Sequence, residues 1–231
     1  MYVLILGITL IILISSFVTM SNGTLSATGL VIAVILGIII LKRNFDLTQK
    51  LKTKNTKENE LVINNVGVGG VFKLANVDGY DEDLTLKVKR KHMYQEGDYF
   101  WYELECEKGD GEKAWVEVEE DDELVVSIVL KKLKISEVSG LNPQKLEFDD
   151  DNESGSLTYC GNRYNYIDSG KATFYRNCDD KKAETLYYWD YKYCNNLFSV
   201  EKWGDNDYEG FYSQIIKPHS ITVYSLNAGE K

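Results

Sequence analysis

Between residues 2 and 41 the chain has no Asp, Glu, Lys or Arg, although charged side chains make up 27% of the whole. That absence divides the sequence before any motif does. There are only two histidines, neither in an HExxH pattern nor beside a patterned Ser or Cys, and no GxSxG, so zinc-hydrolase and nucleophile-elbow signatures are missing. Cys106, Cys160, Cys178 and Cys194 lack CxxC spacing, which speaks against structural zinc. In a reducing compartment they are expected to be thiols, each a small buried hydrophobe. Prolines number only two, yet 16 tyrosines and four tryptophans make the acidic part too aromatic for a solvating tail, and it is expected to fold.

The uncharged region holds two apolar runs, 3–20 and 25–41. As helices they extend about 27 and 25 Å, close to the thickness of a bilayer's hydrocarbon core. Ser21-Asn22-Gly23-Thr24 between them is turn-forming, so the expected object is a transmembrane helical hairpin. Gly7, Gly29 and Gly37 leave room for close helix contact, within the hairpin or between copies. Met1-Tyr2 offers no basic n-region, which argues against a cleaved signal peptide.

Residues 42–58 hold six basic side chains against Asp46 and Glu58, a balance of +4 that leaves −14 of the net −10 on 59–231. Basic clusters beside a span are retained in the cytoplasm. The sequence therefore predicts a two-span cell-membrane protein with a basic linker at 42–60 and a cytoplasmic domain at 61–226. Lys42, Arg43, Lys50, Lys52 and Lys54 are candidates for the lipid surface, although a solvated linker is the plainer reading. The acidity of the domain repels phosphate backbones, so nucleic acid is excluded. The expected partners are the bilayer and another membrane or cytoplasmic protein.

After residue 61, short runs rich in Val, Tyr, Phe, Trp and Ile alternate with Gly, Asp and Asn clusters, which predicts a mainly β domain of antiparallel sheets. Strands are expected at 71–77, 84–94, 99–107, 113–119, 124–132, 157–160, 163–167, 171–176, 185–191, 197–203, 208–217 and 220–226. Gly109-Asp110-Gly111 and Gly161-Asn162 read as hairpin turns, and 135–144 as a hinge between halves at about 61–134 and 145–226. Ala114 to Val129 and Leu197 to Ile216 repeat one apolar-acidic-apolar order, which two related β-subdomains would explain; amphipathic strands also produce it by chance.

Several patterns carry no chemistry. Val66-Gly67-Val68-Gly69-Gly70-Val71 is followed by neither Lys-Ser/Thr nor a helix, so it reads as a turn before the first strand. Asp205 to Gly210 mimics half a calcium loop, but Ile216 stands where a bidentate Glu is needed. The acidic run 149–153 reads as a solvated loop, and His92, after a basic strand end, as a solvated edge residue. No metal or cofactor is expected.

What remains is an aromatic-acid spacing. Residues two apart share one face of a strand, so Trp101 with Glu103, Trp115 with Glu117, and Glu201 with Trp203 could line a sheet face. The stretches 101–104, 115–119, 164–166, 170–172 and 199–203 resemble the bacterial family called domain of unknown function 4178, over about residues 62–226. The resemblance implies a β-rich module sometimes carried by membrane-associated proteins, and no reaction. The leading expectation is a nonenzymatic, membrane-anchored module that binds another protein. The alternative is an enzyme or binding protein for a small or sugar-like ligand, using Trp101, Glu103, Trp115, Glu117, Glu201 and Trp203. Convergent carboxylates in a pocket would favour the alternative, and a broad exposed aromatic patch or sheet edge the module.

Overall fold

The computed structural model describes residues 42–43, 60–120 and 122–227. The expected spans 3–20 and 25–41, with Lys50, Lys52 and Lys54, lie outside them. Lys42 and Arg43 are helical and exposed. Among the described residues no helix is long and apolar enough to cross a membrane. The chain divides into units Met1–Asn59 and Glu60–Lys231, and the second is described here by itself.

That unit contains β1 Gly69–Leu74, β2 Leu84–Glu96, β3 Tyr99–Lys108, β4 Lys113–Glu120, β5 Leu124–Lys134, α1 Pro143–Asp151, β6 Ser156–Tyr159, β7 Asn162–Tyr175, β8 Ala183–Tyr193, β9 Asn196–Trp203, β10 Asp207–Ile216 and β11 Ile221–Asn227. The eleven strands form one sheet in the order β11-β1-β2-β3-β4-β5-β10-β9-β8-β7-β6. β2 also pairs with β7, Tyr94 opposite Phe174, so the eight strands from β2 round to β7 close into a barrel. Every pairing is antiparallel. Closure removes most of the unpaired edge that an open sheet would present.

The order is symmetric. β1 to β5 and β6 to β10 are two meanders, joined through β5 with β10 on one side and β2 with β7 on the other. The halves at 61–134 and 145–226 thus build one barrel. The expected separate strands 163–167 and 171–176 are a single β7, whose register shift between Tyr166 and Asp168 replaces the break read from Asp168-Ser169-Gly170. A bulge absorbs an extra residue without ending pairing, which a local turn signal cannot reveal.

Most buried apolar side chains lie on the barrel's outer face, and a smaller cluster of Tyr94, Ala172, Phe174 and Leu186 lies inside. Leu104, Val116, Val118, Val126 and Ile128 pack with Phe72 and Leu74 of β1 and Leu226 of β11 in one dry core. Tyr191, Phe198 and Val200 of the other meander pack with Leu146 of α1 and Leu157 of β6 in a second. Each wholly buried Leu or Phe contributes about 1.5–3 kcal/mol. The bulge between Val88 and Arg90 divides β2: Leu86 and Val88 face the dry core, while Arg90, His92 and Tyr94 face the interior with Glu105, Glu103 and Trp101 opposite them.

Four local expectations are corrected. Residues 143–151 form α1, with Asn142 as N-cap accepting from the Lys145 amide at 2.9 Å and Pro143 in the first turn. In it Asp149 is fully buried, ion-paired to Lys145 and accepting from the Tyr191 hydroxyl at 2.9 Å, so the acidic run is not a solvated loop. His92 is 4% exposed, because barrel closure covers it: its Nδ1 accepts from the Asn177 amide at 3.0 Å and its ring packs on Phe174. Of the four cysteines only Cys106 is buried; Cys160, Cys178 and Cys194 are exposed at positive φ where strands end. The glycine-rich turn does precede β1, where a side chain on Gly70 would come within 2.5 Å of the Leu226 carbonyl.

Candidate functional site

Strand alternation sends the acids inward because their neighbours are needed outward. On β4, Ala114, Val116 and Val118 are buried in the dry core, which turns Trp115, Glu117 and Glu119 to the interior. Register places Glu103 of β3 directly opposite Glu117. From the other meander, β8 supplies Leu186, Tyr188 and Asp190, and β9 supplies Ser199, Glu201 and Trp203, with Glu201 opposite Tyr188 and Asp190 opposite Ser199. Both halves therefore contribute acids and aromatics to a shared interior.

The interior holds a cavity of about 120 Å³ whose walls include Tyr94, Trp101, Glu117, Tyr188, Asp190 and Glu201. Tyr94 stacks on Trp101 at 5.3 Å and 8°, and Tyr188 meets the Trp101 ring edge-on at 6.0 Å. A second group of acids, Glu96, Glu119 and the exposed Asp168, lines the same space. Tyr188 donates to Glu96 at 2.6 Å and lies 3.3 Å from Asp168, and Tyr99 donates to Glu119 at 2.6 Å. Gly170 opposite Tyr188 makes room for this, since a methyl there would lie 2.9 Å from the Tyr188 hydroxyl.

The inner acids are poorly compensated. Trp203 Nε1 donates to Glu201 at 3.0 Å, while Glu103 and Glu117 accept no hydrogen bond from a described residue. Among the described residues no Lys, Arg or His lines the cavity. Burial first, and then neighbouring carboxylates, raise these groups. Glu201 is pushed up to about 8 by burial and Glu103, against the opposing bonds from Trp203 and Tyr94. Asp190 rises to about 7 through burial, with Ser199 opposing and Asp168 and Glu119 adding. Glu103 reaches about 7 through burial, partly offset by Lys132. Glu117 lies well above the ordinary range through burial, with Asp190 its strongest neighbouring charge. By accessible area all four are only half-buried, because the cavity admits water; the protein packed around them sets the cost of charging them.

Glu105, next inward on β3, shows the contrast. Arg90 at 2.6 Å and Lys113 at 3.1 Å hold it, and the Arg90 hydrogen bond leads in lowering its pKa. A matched acid stays charged; its unmatched neighbours resist charging.

Of the residues singled out from sequence, Trp101, Glu117 and Glu201 line the cavity, Glu103 faces Glu117, and Trp203 holds Glu201. Trp115 shares the inner face but lies outside the lining, with the Lys132 ammonium 4.8 Å from its ring. Sequence reasoning missed Tyr94, Tyr188, Asp190, Glu96, Tyr99, Glu119 and Asp168. The pair Tyr188 and Asp190 has the same aromatic-acid spacing as Trp101 and Glu103 and could have been found by it. Glu96 and Asp168 could not, since they meet only where β2 closes on β7.

Comparison with known proteins adds a boundary. The family model described as Domain of unknown function (DUF4178) matches residues 83–218. The chain belongs to that family. The match runs from the start of β2 to the end of β10 and so covers every strand of the closed barrel, leaving β1 and β11 outside. In this chain the DUF4178 segment is thus the unit that holds the cavity and all eight acids described above. No curated protein matches the chain, and no solved structure does.

Proposed function

We propose that this protein is a membrane-anchored, nonenzymatic binding module whose barrel cavity takes a small organic cation. One observation carries the reading: Glu117, Asp190 and Glu201 all line an aromatic-walled cavity that no basic side chain lines among the described residues. A cation seated there offsets their mutual repulsion and gains attraction to the faces of Trp101 and Tyr188. Between the two readings left open by the sequence, this shared lining favours the small ligand over a docked protein. Phe100, Phe148 and Tyr224, among the most exposed large apolar residues, fall on separate elements, β3, α1 and β11. The size of the cavity, below the several hundred Å³ of drug-sized sites, argues against a bulky sugar.

The anchoring part of the proposal is supported by the uncharged runs 3–20 and 25–41 and the basic cluster after them, which favours a cytoplasmic barrel. The test uses the full chain in detergent micelles and the fluorescence of Trp101 and Trp203. Methylammonium and tetramethylammonium chloride should give a saturable change at pH 8.5 that weakens at pH 5.5, where the inner acids are protonated, and that Glu201→Gln reduces. A change that is absent at both pH values, or unaltered by Glu201→Gln, overturns the binding reading. Release of the intact protein from membranes by alkaline washing overturns the anchor.

A further inference from the structure

The two meanders are joined twice, and the joints are unequal. β5 and β10 share eight register pairs, whereas β2 and β7 share three: Met93 with Tyr175, Tyr94 with Phe174 and Gln95 with Thr173. The short joint is extended by the turn Arg176–Cys178 that follows β7. There the Asn177 amide donates to His92 Nδ1 at 3.0 Å, and the Cys178 thiol lies 3.5 Å from the Lys91 carbonyl. Asn177 and Cys178 both have positive φ, 57° and 54°, a conformation that L residues hold only where their surroundings enforce it. The His92 ring packs on Phe174, which also meets Tyr94 at 4.9 Å and Trp203 at 5.2 Å. Through these contacts the joint adjoins the cavity wall at Tyr94 and the Trp203 that holds Glu201.

A backbone amide can only donate, so the Asn177 bond requires an unprotonated Nδ1. Protonation turns that nitrogen into a donor and sets one N–H against another around a side chain that is 4% exposed. Little nearby rewards the charge. Glu105 Oε2 is 4.0 Å from Nε2, but Arg90 and Lys113 of β4 already match it. Glu103, opposite His92 on β3, is itself pushed up to about 7 by burial. Arg90 on β2 and Arg176 in the turn, the latter paired with Glu184 of β8, repel an imidazolium.

We propose that His92 is a proton-sensitive clasp on the β2–β7 joint: neutral, it ties the turn Arg176–Cys178 to β2 and keeps the barrel closed; protonated, it releases the turn and opens the joint beside the cavity. The clasp does not depend on what the cavity binds. Burial lowers the His92 pKa, Glu105 opposes, and Arg176 and Arg90 add to the lowering. The open form therefore takes up a proton more readily than the closed one, so closure is fully supported above the ordinary 6.5 and weakens as pH falls below it. The raised carboxyls act the other way over the same range, so the acid effect is local to the joint.

The test is hydrogen exchange of the full chain in detergent, read by mass spectrometry at pH 7.5 and 5.0 with labelling times matched to the pH dependence of free amides. Residues 172–182 should exchange at least about fivefold faster at pH 5.0, out of the roughly thirtyfold that an imidazole freed to its ordinary pKa allows. Residues 113–120 of β4 should keep their protection. His92→Asn places a carbonyl acceptor where Nδ1 stands and cannot be protonated, so residues 172–182 of that variant should exchange alike at both pH values. Circular dichroism establishes that the variant is folded. Equal protection of 172–182 at both pH values in the wild type overturns the clasp, and that comparison decides alone if the variant does not fold. The same acid loss in folded His92→Asn assigns it to another group, and a loss that extends to β4 makes it global; either result also overturns the clasp.

Discussion

The two faces of β4 differ as much as any two regions of this molecule. Ala114, Val116 and Val118 look outward into a dry core with Phe72 and Leu74, whereas Glu117 and Glu119 look inward to an acidic, water-accessible space. A barrel ordinarily fills its interior with its most apolar side chains. Here most of the apolar load lies outside, under β1, β11, α1 and β6, and the interior combines a smaller cluster of Tyr94, Ala172, Phe174 and Leu186 with acids that cost stability. The difference teaches that one strand can serve stability on one face and binding on the other, with the alternation of the backbone keeping the two apart.

The most severe way to break this division is to give the dry face a charge. Val116→Asp places a carboxylate at a position with no accessible surface, and it should cost more than about 4 kcal/mol. Urea unfolding followed by circular dichroism should show the variant largely unfolded; a folded protein of near wild-type midpoint would mean that the outer core is wetter than it looks.

The wet face should respond to pH in the opposite way from an ordinary ion-paired surface. Burial pushes Glu103 and Asp190 up to about 7 and Glu201 up to about 8 in the folded state, against ordinary values of 4.5 for Glu and 3.8 for Asp. Raised folded values mean that the folded protein holds more protons in between. Their contribution is therefore complete below about pH 4 and is lost as pH rises through 7 and 8. Thermal melts without added amine should fall from pH 5.5 to 8.5 by on the order of 10 °C. Glu201→Gln sharpens the comparison, since it removes a group that charges as pH rises through about 8, and should make the fall between pH 5.5 and 8.5 smaller. A melting temperature that rises with pH would show the inner acids to be matched.

The smallest expected effect concerns the cover of the second dry core. Asn142→Ala removes the N-cap of α1, whose Leu146 is fully buried, and should cost about 1 kcal/mol in urea unfolding without changing amine binding. An altered affinity would show that the outer cover reaches the cavity.

How legible each part was follows from the range of the interactions involved. The strands at 84–94 and 113–119 could be read because alternation is a local pattern, and β2 and β4 extend them by only a residue or two. α1 escapes a local reading because Asn142-Pro143 opens a short helix rich in Asp, a residue of poor helix propensity, whose stability comes from tertiary contacts at Leu146 and Asp149. His92 looked solvated because its neighbours Arg90 and Lys91 are basic; it is buried because Phe174 and Asn177 arrive from far along the chain.

By itself the sequence determined that the region after residue 61 is antiparallel β, that it belongs to one recognisable family, and that aromatic and acidic side chains two apart share a strand face. Those properties depend on neighbours within a few residues or on family likeness. Only the tertiary structure decided that the marked face is an interior. That required β2 to bulge after Val88 and close on β7, and β5 to meet β10, so that Glu117 from one meander lies near Asp190 from the other. Pairings between residues some 80 positions apart, such as Tyr94 with Phe174, leave no trace in local periodicity. The enclosure they create turns surface carboxylates into groups that resist charging, because desolvation depends on what surrounds a side chain and not on its place in the chain.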